Sequence, residues 1–204
     1  MDENGGHVSD LYDIFYKGDR IDGESGNIKF WFKQFQGDNR IFAAADWNMV
    51  AGSFSASGGY ASASPGTSSE TDRPWADSKA MMVTERLADV AAVRLNTQIV
   101  FPSGQASVYG GIVFGYRDPS NYWVYLLRCG NGTSGNEDGR FLYRVSEGTW
   151  SLQDQYIATS DIYQPGSGIN LALTVLADYV TDEQLTDPVD GASTAIAAGR
   201  IGLI

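Results

Sequence analysis

The 204-residue sequence predicts an all-β protein in which two antiparallel sheets pack face to face as a sandwich. Glycine occurs 24 times and aromatic residues make up 12% of the chain, a composition typical of many strands joined by turns. Apolar residues recur with a period of two along several segments, and no segment has the 3.6-residue apolar period of an amphipathic helix. A single sandwich domain commonly has this length.

The first third of the chain has the weakest patterns. An aromatic cluster lies within residues 30–35, and residues 41–45 and 50–55 are predicted to be short strands. Residues 55–59 are predicted to form a turn. Residues 62–77 are rich in serine, proline and threonine and are predicted to form a long loop.

The clearest alternation comes next. Residues 91–99 place small and apolar side chains on one face and Arg94, Asn96 and Gln98 on the other, as in a strand with one buried side. Residues 169–175 alternate in the same way. Both segments are therefore predicted to be strands that cover the core with one face.

A hairpin is predicted between these two strands, because residues 108–116 and 121–129 are rich in β-branched and aromatic residues. The link between them, residues 117–120, reads Arg-Asp-Pro-Ser. Aspartate favours the first position of a turn, and proline fixes φ at the next position. Further strands are predicted at residues 141–145, 150–156 and 200–204, with residues 181–198 mostly in a loop.

Charge and motifs exclude several classes of function. The net charge is −11 and the basic residues are scattered, so neither nucleic acid nor an anionic membrane is an expected partner. No apolar run approaches a transmembrane length, and the N-terminus has no signal-peptide pattern. Cys129 is the only cysteine, so no internal disulfide can form, and we expect this thiol to be buried in a strand.

The predicted hairpin carries a family resemblance. Its sequence, Gly-Gly-Ile-Val-Phe-Gly-Tyr-Arg-Asp-Pro-Ser-Asn-Tyr-Trp-Val-Tyr over residues 110–125, resembles the central hairpin of concanavalin A-like, laminin-G-like jelly rolls. Residues 198–203 resemble the last strand of such domains, and residues 50–55 an early one. The resemblance implies a two-sheet antiparallel jelly-roll β-sandwich over residues 40–204. Residues 1–39 are interpreted as an N-terminal arm or irregular extension.

The resemblance also implies a sheet face that binds glycans, and the sequence offers residues for it. The polar stripe of Arg94, Asn96 and Gln98 is one part of the predicted ligand site. Tyr122, Trp123 and Arg128 complete the predicted set. Because successive side chains on a strand alternate, Tyr122 and Trp123 are not expected to face the core together, so one of them is predicted to lie on a surface.

Calcium is a candidate cofactor, since many members of the resembled family bind it near a sheet edge. Residues 131–138 are rich in side-chain oxygens, which are the ligands that calcium prefers. Asn136, Glu137 and Asp138 are the candidate ligands. Residues 182–190 hold a second acidic group, and a solvated acidic loop is the alternative interpretation of both segments.

Catalytic alternatives have weaker support in the sequence. No predicted strand carries the closely spaced carboxylates of a glycoside hydrolase: Glu85 and Asp89 are too far apart, and Asp118 lies in a turn. A histidine-based triad or metal site would depend on His7 alone. A lyase site around Arg94 would lack a histidine partner. The chain is therefore predicted not to be an enzyme.

Two functions follow as hypotheses. The first is a binding or structural sandwich on the surface of a virion, such as a bacteriophage capsid decoration or tail appendage, because virion proteins need no signal peptide. It predicts a homo-oligomer or docking on a larger protein shell. The alternative is a secreted carbohydrate-binding module, or a polysaccharide-acting enzyme of the same fold. Either hypothesis predicts a virion or extracellular location, with cell-surface glycans as partners.

Overall fold

The computed structural model describes residues 11–17, 28–34, 47–57, 60–64, 66–67, 78–84, 93–101, 108–130, 137–158, 163–166, 168–176, 180–182 and 196–204. These residues form strands and no helix. In chain order the strands are β1 (Leu11–Lys17), β2 (Ile28–Gln34), β3 (Trp47–Ala51), β4 (Ser53–Ser57), β5 (Tyr60–Ser64), β6 (Gly66–Thr67), β7 (Ser78–Lys79), β8 (Met81–Thr84), β9 (Val93–Val100), β10 (Val108–Asp118), β11 (Asn121–Cys129), β12 (Gly139–Ser146), β13 (Thr149–Ile157), β14 (Gly168–Val175), β15 (Val180–Asp182) and β16 (Arg200–Leu203). The all-β class predicted from composition and periodicity is confirmed.

Two antiparallel sheets hold most of these strands. One has five strands in the order β15-β14-β9-β1-β2, and the other has seven in the order β13-β12-β11-β10-β16-β8-β3. The pairs β4-β5 and β6-β7 form two small additional sheets. Within the described part of the chain, no helix is long and apolar enough to cross a membrane.

The central hairpin has the predicted register. β10 and β11 pair antiparallel from Val108 opposite Cys129 to Phe114 opposite Trp123, and the chain turns at Pro119 and Ser120. The closing strand β16 lies between β10 and β8, and Gly111 and Ile204 exchange two backbone hydrogen bonds of 2.9 and 3.1 Å. The strand predicted at the end of the chain is therefore confirmed, and it fills the middle of the larger sheet.

The two sheets pack through an inter-sheet core. From the five-stranded sheet, Leu95 of β9 and Leu171 and Leu173 of β14 are buried, while Arg94 of β9 is exposed. This is the predicted alternation of both strands. The other side of the core comes from alternate residues of the seven-stranded sheet, among them Trp123 and the buried thiol of Cys129.

The other face of the seven-stranded sheet is also apolar, and this contradicts one prediction. Tyr122 and Trp123 point to opposite faces, yet they are only 2% and 5% exposed. A second cluster of buried side chains, which we name the outer-face cluster, covers the face away from the five-stranded sheet. It consists of Met81, Val83, Val113, Tyr116, Tyr122, Val124, Leu126, Phe141, Tyr143, Val145 and Trp150. The expectation that Tyr122 or Trp123 would lie on a surface is therefore wrong.

Several boundaries in the first half differ from prediction. The strand predicted at 50–55 is interrupted at Gly52, whose φ of 61° breaks the extended backbone between β3 and β4. The turn predicted at 55–59 is wrong in its first part, because β4 continues to residue 57. The loop predicted at 62–77 begins inside β5 and contains β6. The strand predicted at 41–45 lies outside the described residues.

The predicted division at residue 40 stays a prediction. Within the N-terminal extension, β1 and β2 are regular strands, and β1 pairs with both β2 and β9 of the five-stranded sheet. The loop predicted at 181–198 lies largely outside the described residues, although β15 occupies its first two positions.

Candidate functional site

Two turns lie side by side at one end of the seven-stranded sheet. The first joins β10 to β11 at Pro119 and Ser120, and the second joins β12 to β13 at Glu147 and Gly148. The Gly148 amide donates to the Ser120 carbonyl at 3.0 Å. Both central residues of the second turn have positive φ, 52° at Glu147 and 80° at Gly148, as in the tight turns that match strand twist. The two turns therefore form one connected rim.

Asn121 ties this rim together. Its side-chain amide donates to both carboxylate oxygens of Asp118 at 3.0 Å, and its side-chain oxygen accepts from the Glu147 amide at 3.3 Å. The Asp118 carboxylate also accepts from the Ser120 amide at 2.8 Å. Aspartate at the first turn position thus binds the backbone two residues on, which is the predicted reason for its presence.

A shallow depression with a cavity volume of about 80 Å³ opens beside this rim. Its lining residues are Gly115, Arg117, Asn121, Tyr122, Trp123, Arg144, Val145, Ser146 and Ala197. Gly115 has a φ of 56°, and a Cβ there would lie 2.9 Å from the Ala197 carbonyl oxygen. The space in the depression thus depends on a glycine that bends β10, where the pairing with β11 and β16 shifts register.

Arg144 and Trp123 are neighbours across the β11-β12 pair at the depression. The guanidinium carbon of Arg144 lies 6.0 Å from the centroid of the Trp123 ring, a cation–π distance. The far side of that ring packs against Phe114, with 6.4 Å between centroids and 15° between planes. Trp123 therefore does not offer a bare face for a ligand. It supports a half-buried arginine that reaches the depression.

The sequence-predicted ligand residues are divided between the two sheets. Arg94 and Gln98 lie on β9 of the five-stranded sheet, and Gln98 donates to the Asn170 side-chain oxygen of β14 at 3.2 Å. Asn96 occupies the position on β9 opposite Ala172. Arg94 is exposed and Gln98 is half-buried. Arg94 and Gln98 lie on the face of β9 opposite to the buried Leu95 and away from the seven-stranded sheet, so they cannot share a binding site with Tyr122, Trp123 and Arg128.

Arg128 lies at the end of β11 far from the two turns and makes contacts of its own. Its Nε donates to the Glu137 carbonyl oxygen at 2.5 Å, and its guanidinium group lies 4.9 Å from the centroid of Phe141. An ion pair of 3.7 Å joins it to the Glu137 carboxylate. Of the six predicted ligand residues, Tyr122 and Trp123 are the two that line the depression.

Two of the three residues predicted to bind calcium, Glu137 and Asp138, lie just before β12 and contact other segments of the chain. The Asp138 carboxylate is buried and accepts the backbone amides of Gly130 at 2.7 Å and Tyr163 at 2.5 Å. Glu137 pairs with Arg128, and Asn136 lies outside the described residues. Across the residues that the structure describes, no three His, Cys, Asp or Glu side chains form a metal-binding group. Calcium binding here stays a prediction.

The carboxylate of Asp118 and the buried carboxylate of Asp138 are far apart. Asp118 lies at the turn end of β11, and Asp138 lies beside the other end of this nine-residue strand. At ~3.4 Å per residue, the length of β11 separates them by roughly 27 Å. Glycosidase carboxylates stand about 5–9.5 Å apart, so these two cannot act as a pair. His7, Glu85 and Asp89 lie outside the described residues.

Sequence reasoning missed Arg117, Asn121 and Arg144 as site residues. Arg117 is the first residue of the predicted turn and Asn121 follows its last residue, and their polar side chains next to an aromatic pair were an available signal. Arg144 comes from the next strand, and its contact with Trp123 depends on the register of β12 against β11. No local pattern in the sequence specifies that register.

Comparison with known proteins identifies the fold. No protein-family model matches the chain, and no curated protein matches it. Among solved structures, the carbohydrate binding module CBM66 from Bacillus subtilis is 16% identical, with 78% of this chain and 86% of that chain covered and a TM-score of 0.51. Galectin-Va from Xenopus laevis is 14% identical, with 61% and 87% covered and a TM-score of 0.43. The likeness to the CBM66 structure shows the fold, and the predicted two-sheet jelly-roll β-sandwich is confirmed.

Proposed function

We propose that the chain is a non-catalytic carbohydrate-binding β-sandwich and that the sugar enters the depression beside the two turns. The observation that carries this proposal is the guanidinium group of Arg144, supported on Trp123 next to Asn121 and Ser146 in an open depression. Binding sites for small ligands combine a concave shape with a few well-placed polar groups, and this depression has both. The shared fold with a carbohydrate binding module adds support.

Binding to immobilised polysaccharides tests the proposal. The intact chain should be retained during electrophoresis through gels that contain at least one polysaccharide of a broad panel, and Arg144→Gln should reduce that retention. The control is Gln153→Ala on β13, because Gln153 is not among the residues that line the depression and its side-chain amide donates to the Ser151 hydroxyl at 2.8 Å. Failure to bind any polysaccharide of the panel would refute the proposal.

The absence of catalysis is tested with the same panel. After prolonged incubation with the chain, the polysaccharides should show no new reducing ends and no unsaturated products. Either product would instead support the alternative of a polysaccharide-acting enzyme. The wide separation of Asp118 and Asp138 is the structural argument against a hydrolase that uses these two groups.

Assembly on the surface of a virion is a second candidate function, and one observation favours an assembly role. Strand β13 forms an edge of the seven-stranded sheet and exposes Leu152 (43%), Tyr156 (41%) and Ile157 (36%). An exposed edge strand with apolar side chains is a template for pairing with another chain. A homo-oligomer, or docking on a larger protein shell, would cover these side chains.

Light scattering of the purified chain tests self-assembly. Wild type should form a defined oligomer, and Leu152→Lys should shift it to a monomer that keeps the wild-type circular dichroism spectrum. Ser151→Lys on the same strand is the control for added charge, because Ser151 is already exposed and polar. A wild-type monomer at all concentrations would contradict assembly through β13.

Thermal melts of the chain with calcium and with a chelator test the predicted calcium site. Calcium that binds the folded chain should raise the melting temperature.

A further inference from the structure

Strand β13 is an open edge of the seven-stranded sheet. It pairs with β12 on one side, and none of the described strands pairs with its other side. Leu152, Tyr156 and Ile157 are each more than a third exposed along this edge. Sheet edges that must stay single are commonly protected by several charged side chains. Asp154 is the one charged residue in the sequence of β13, so this protection is weak.

The backbone of β13 presents its hydrogen-bonding groups to solvent at Gln155. The Ala158 amide donates to the Asp138 carbonyl at 2.9 Å, so the backbone groups of residue 158 point toward β12. These groups alternate in direction along a strand, so those of Gln155 point away from β12. The Gln155 amide agrees with this orientation, because it donates to the exposed side chain of Asp154 at 2.7 Å. A carbonyl group of another chain can replace that local acceptor.

The two faces of β13 carry different side chains. Asp154 lies opposite Leu142 of the inter-sheet core, and Tyr156 shares this face because it follows two residues later. Leu152 and Ile157 lie on the other face, beside the outer-face cluster. A bulge in β13 separates these two apolar residues along the strand. One face of the edge is therefore polar and aromatic, and the other is aliphatic.

We propose that two copies of the chain pair along β13, antiparallel about a two-fold axis at Gln155, so that one sheet continues through both molecules. This inference rests on the assembly role proposed above, and it names the partner as a second copy. A two-fold contact forms every pair of side chains twice. The axis at Gln155 places Asp154 of each copy opposite Tyr156 of the other. It also brings Ile157 of each copy beside the bulge and Leu152 of the other.

This register makes the edge complementary to itself. The Tyr156 phenol can donate a hydrogen bond to the Asp154 carboxylate of the second copy. Pairing of the Gln155 amide across the interface releases the carboxylate oxygen that now accepts it. On the other face, contact between Leu152 and Ile157 removes exposed apolar surface from water. One strand supplies both members of each contact, which favours a second copy of the chain over an unrelated partner.

Net charge predicts how this dimer responds to salt. Each chain carries a charge of −11, so two copies repel each other at low ionic strength. The proposed contact consists of backbone hydrogen bonds, apolar side chains and a phenol-to-carboxylate hydrogen bond, and it contains no pair of opposite charges. Added salt should therefore screen the repulsion and lower the dissociation constant of the dimer.

Cysteine trapping on the intact chain tests the register. Directly opposite residues of a hydrogen-bonded antiparallel pair have Cα atoms about 5.5 Å apart, a distance that a disulfide can span. Gln155→Cys should therefore form a disulfide-linked dimer under mild oxidation. Ser151→Cys is the matched control, because this residue is exposed on the same strand but lies away from the axis. It should give several-fold less linked dimer, and the buried Cys129 should give none.

Light scattering over a concentration series tests the contacts with two further variants. Gln155→Pro removes the amide that the second copy needs, and an edge strand tolerates proline where its amide points to solvent. It should be a monomer, whereas Gln155→Ala keeps the amide and should remain a dimer. Tyr156→Phe keeps the ring but loses the hydrogen-bond donor, and it should raise the dissociation constant several-fold. Circular dichroism spectra establish that each variant is folded.

The outcomes separate this inference from the assembly role on which it rests. An oligomer that persists unchanged in folded Gln155→Pro would overturn pairing at Gln155 and leave assembly through another surface standing. Equal trapping of Gln155→Cys and Ser151→Cys would overturn the register in the same way. A wild-type chain that is monomeric at every concentration and salt level would refute the assembly role and this inference together.

Discussion

Asp138 makes polar contacts that hold the backbone at the end of the seven-stranded sheet opposite the depression. Its buried carboxylate accepts the amides of Gly130 and Tyr163, which lie on two separate segments of the chain. Asp138→Asn would place an amide donor against a backbone donor and leave a buried group unsatisfied. We expect the free energy of unfolding in urea to fall by about 1–3 kcal/mol. Glu147→Gln, an exposed carboxylate, is the control, and an equal effect of both variants would contradict this role.

Gly115 is a second single residue with a large structural effect, because it sets the shape of the depression. It combines a φ of 56° with a site where a Cβ would meet the Ala197 carbonyl oxygen at 2.9 Å. Gly166 has a φ of 83° and open space around it, so it isolates the conformational cost. Gly166→Ala should lower the free energy of unfolding by about 1–2 kcal/mol, and Gly115→Ala by more. Equal losses in urea denaturation would show that the contact with Ala197 does not matter.

In the turn between β12 and β13, one residue type does not suit the backbone conformation that the turn requires. Its first central residue, Glu147, has a φ of 52°, which costs an L-residue about 1–2 kcal/mol, whereas asparagine tolerates this region well. Glu147→Asn should therefore raise the free energy of unfolding by about 0.5–1 kcal/mol in urea titrations. Glu147→Ala removes the same charge without favouring positive φ. A gain of the same size in the alanine variant would assign the effect to charge instead.

Elements with one buried face were predictable from sequence, and elements with two buried faces were not. β9 and β14 pair a buried apolar face with a polar one, so their period of two indicated both strand and orientation. β11 is buried on both faces from Tyr122 to Cys129, and the same rule predicted one exposed aromatic residue there. Its nearly unbroken apolar run was the signal for burial on both sides.

The candidate site depends on the whole molecule more than on any segment. Trp123 was selected from sequence for its aromatic ring, but its partner Arg144 reaches it through strand pairing and the depression needs Ala197 from near the end of the chain. Contacts of this kind follow from register and topology, which local patterns do not specify. The fold class and the central hairpin were therefore predictable, while the membership of the site was not.

Three buried tyrosines are expected to lower the stability of the whole molecule at alkaline pH. Burial raises the pKa of Tyr125, Tyr143 and Tyr163 above the ordinary value of 10.0 for a phenol. For Tyr125 and Tyr163 the positive charge of Arg140 partly opposes the shift, and for Tyr143 that of Arg128 does so. In the folded protein these phenols thus stay neutral at a pH where those of the unfolded chain ionise.

The sign of the effect follows from this difference. The stabilising contribution is fully present below pH ~10, the pKa in the unfolded chain, and is lost as pH rises from there towards the folded-state pKa. Because the phenol of Tyr125 stays neutral well above pH 10 in the folded protein and ionises in the unfolded chain, this residue alone lowers the free energy of unfolding by about 1.4 kcal/mol per pH unit above 10. Urea denaturation at pH 8, 9, 10 and 11 should therefore give a level value up to pH 9 and a decline beyond pH 10. Tyr125→Phe should make that decline shallower, since it removes a phenol without adding a charge, and an unchanged slope would show that Tyr125 does not contribute.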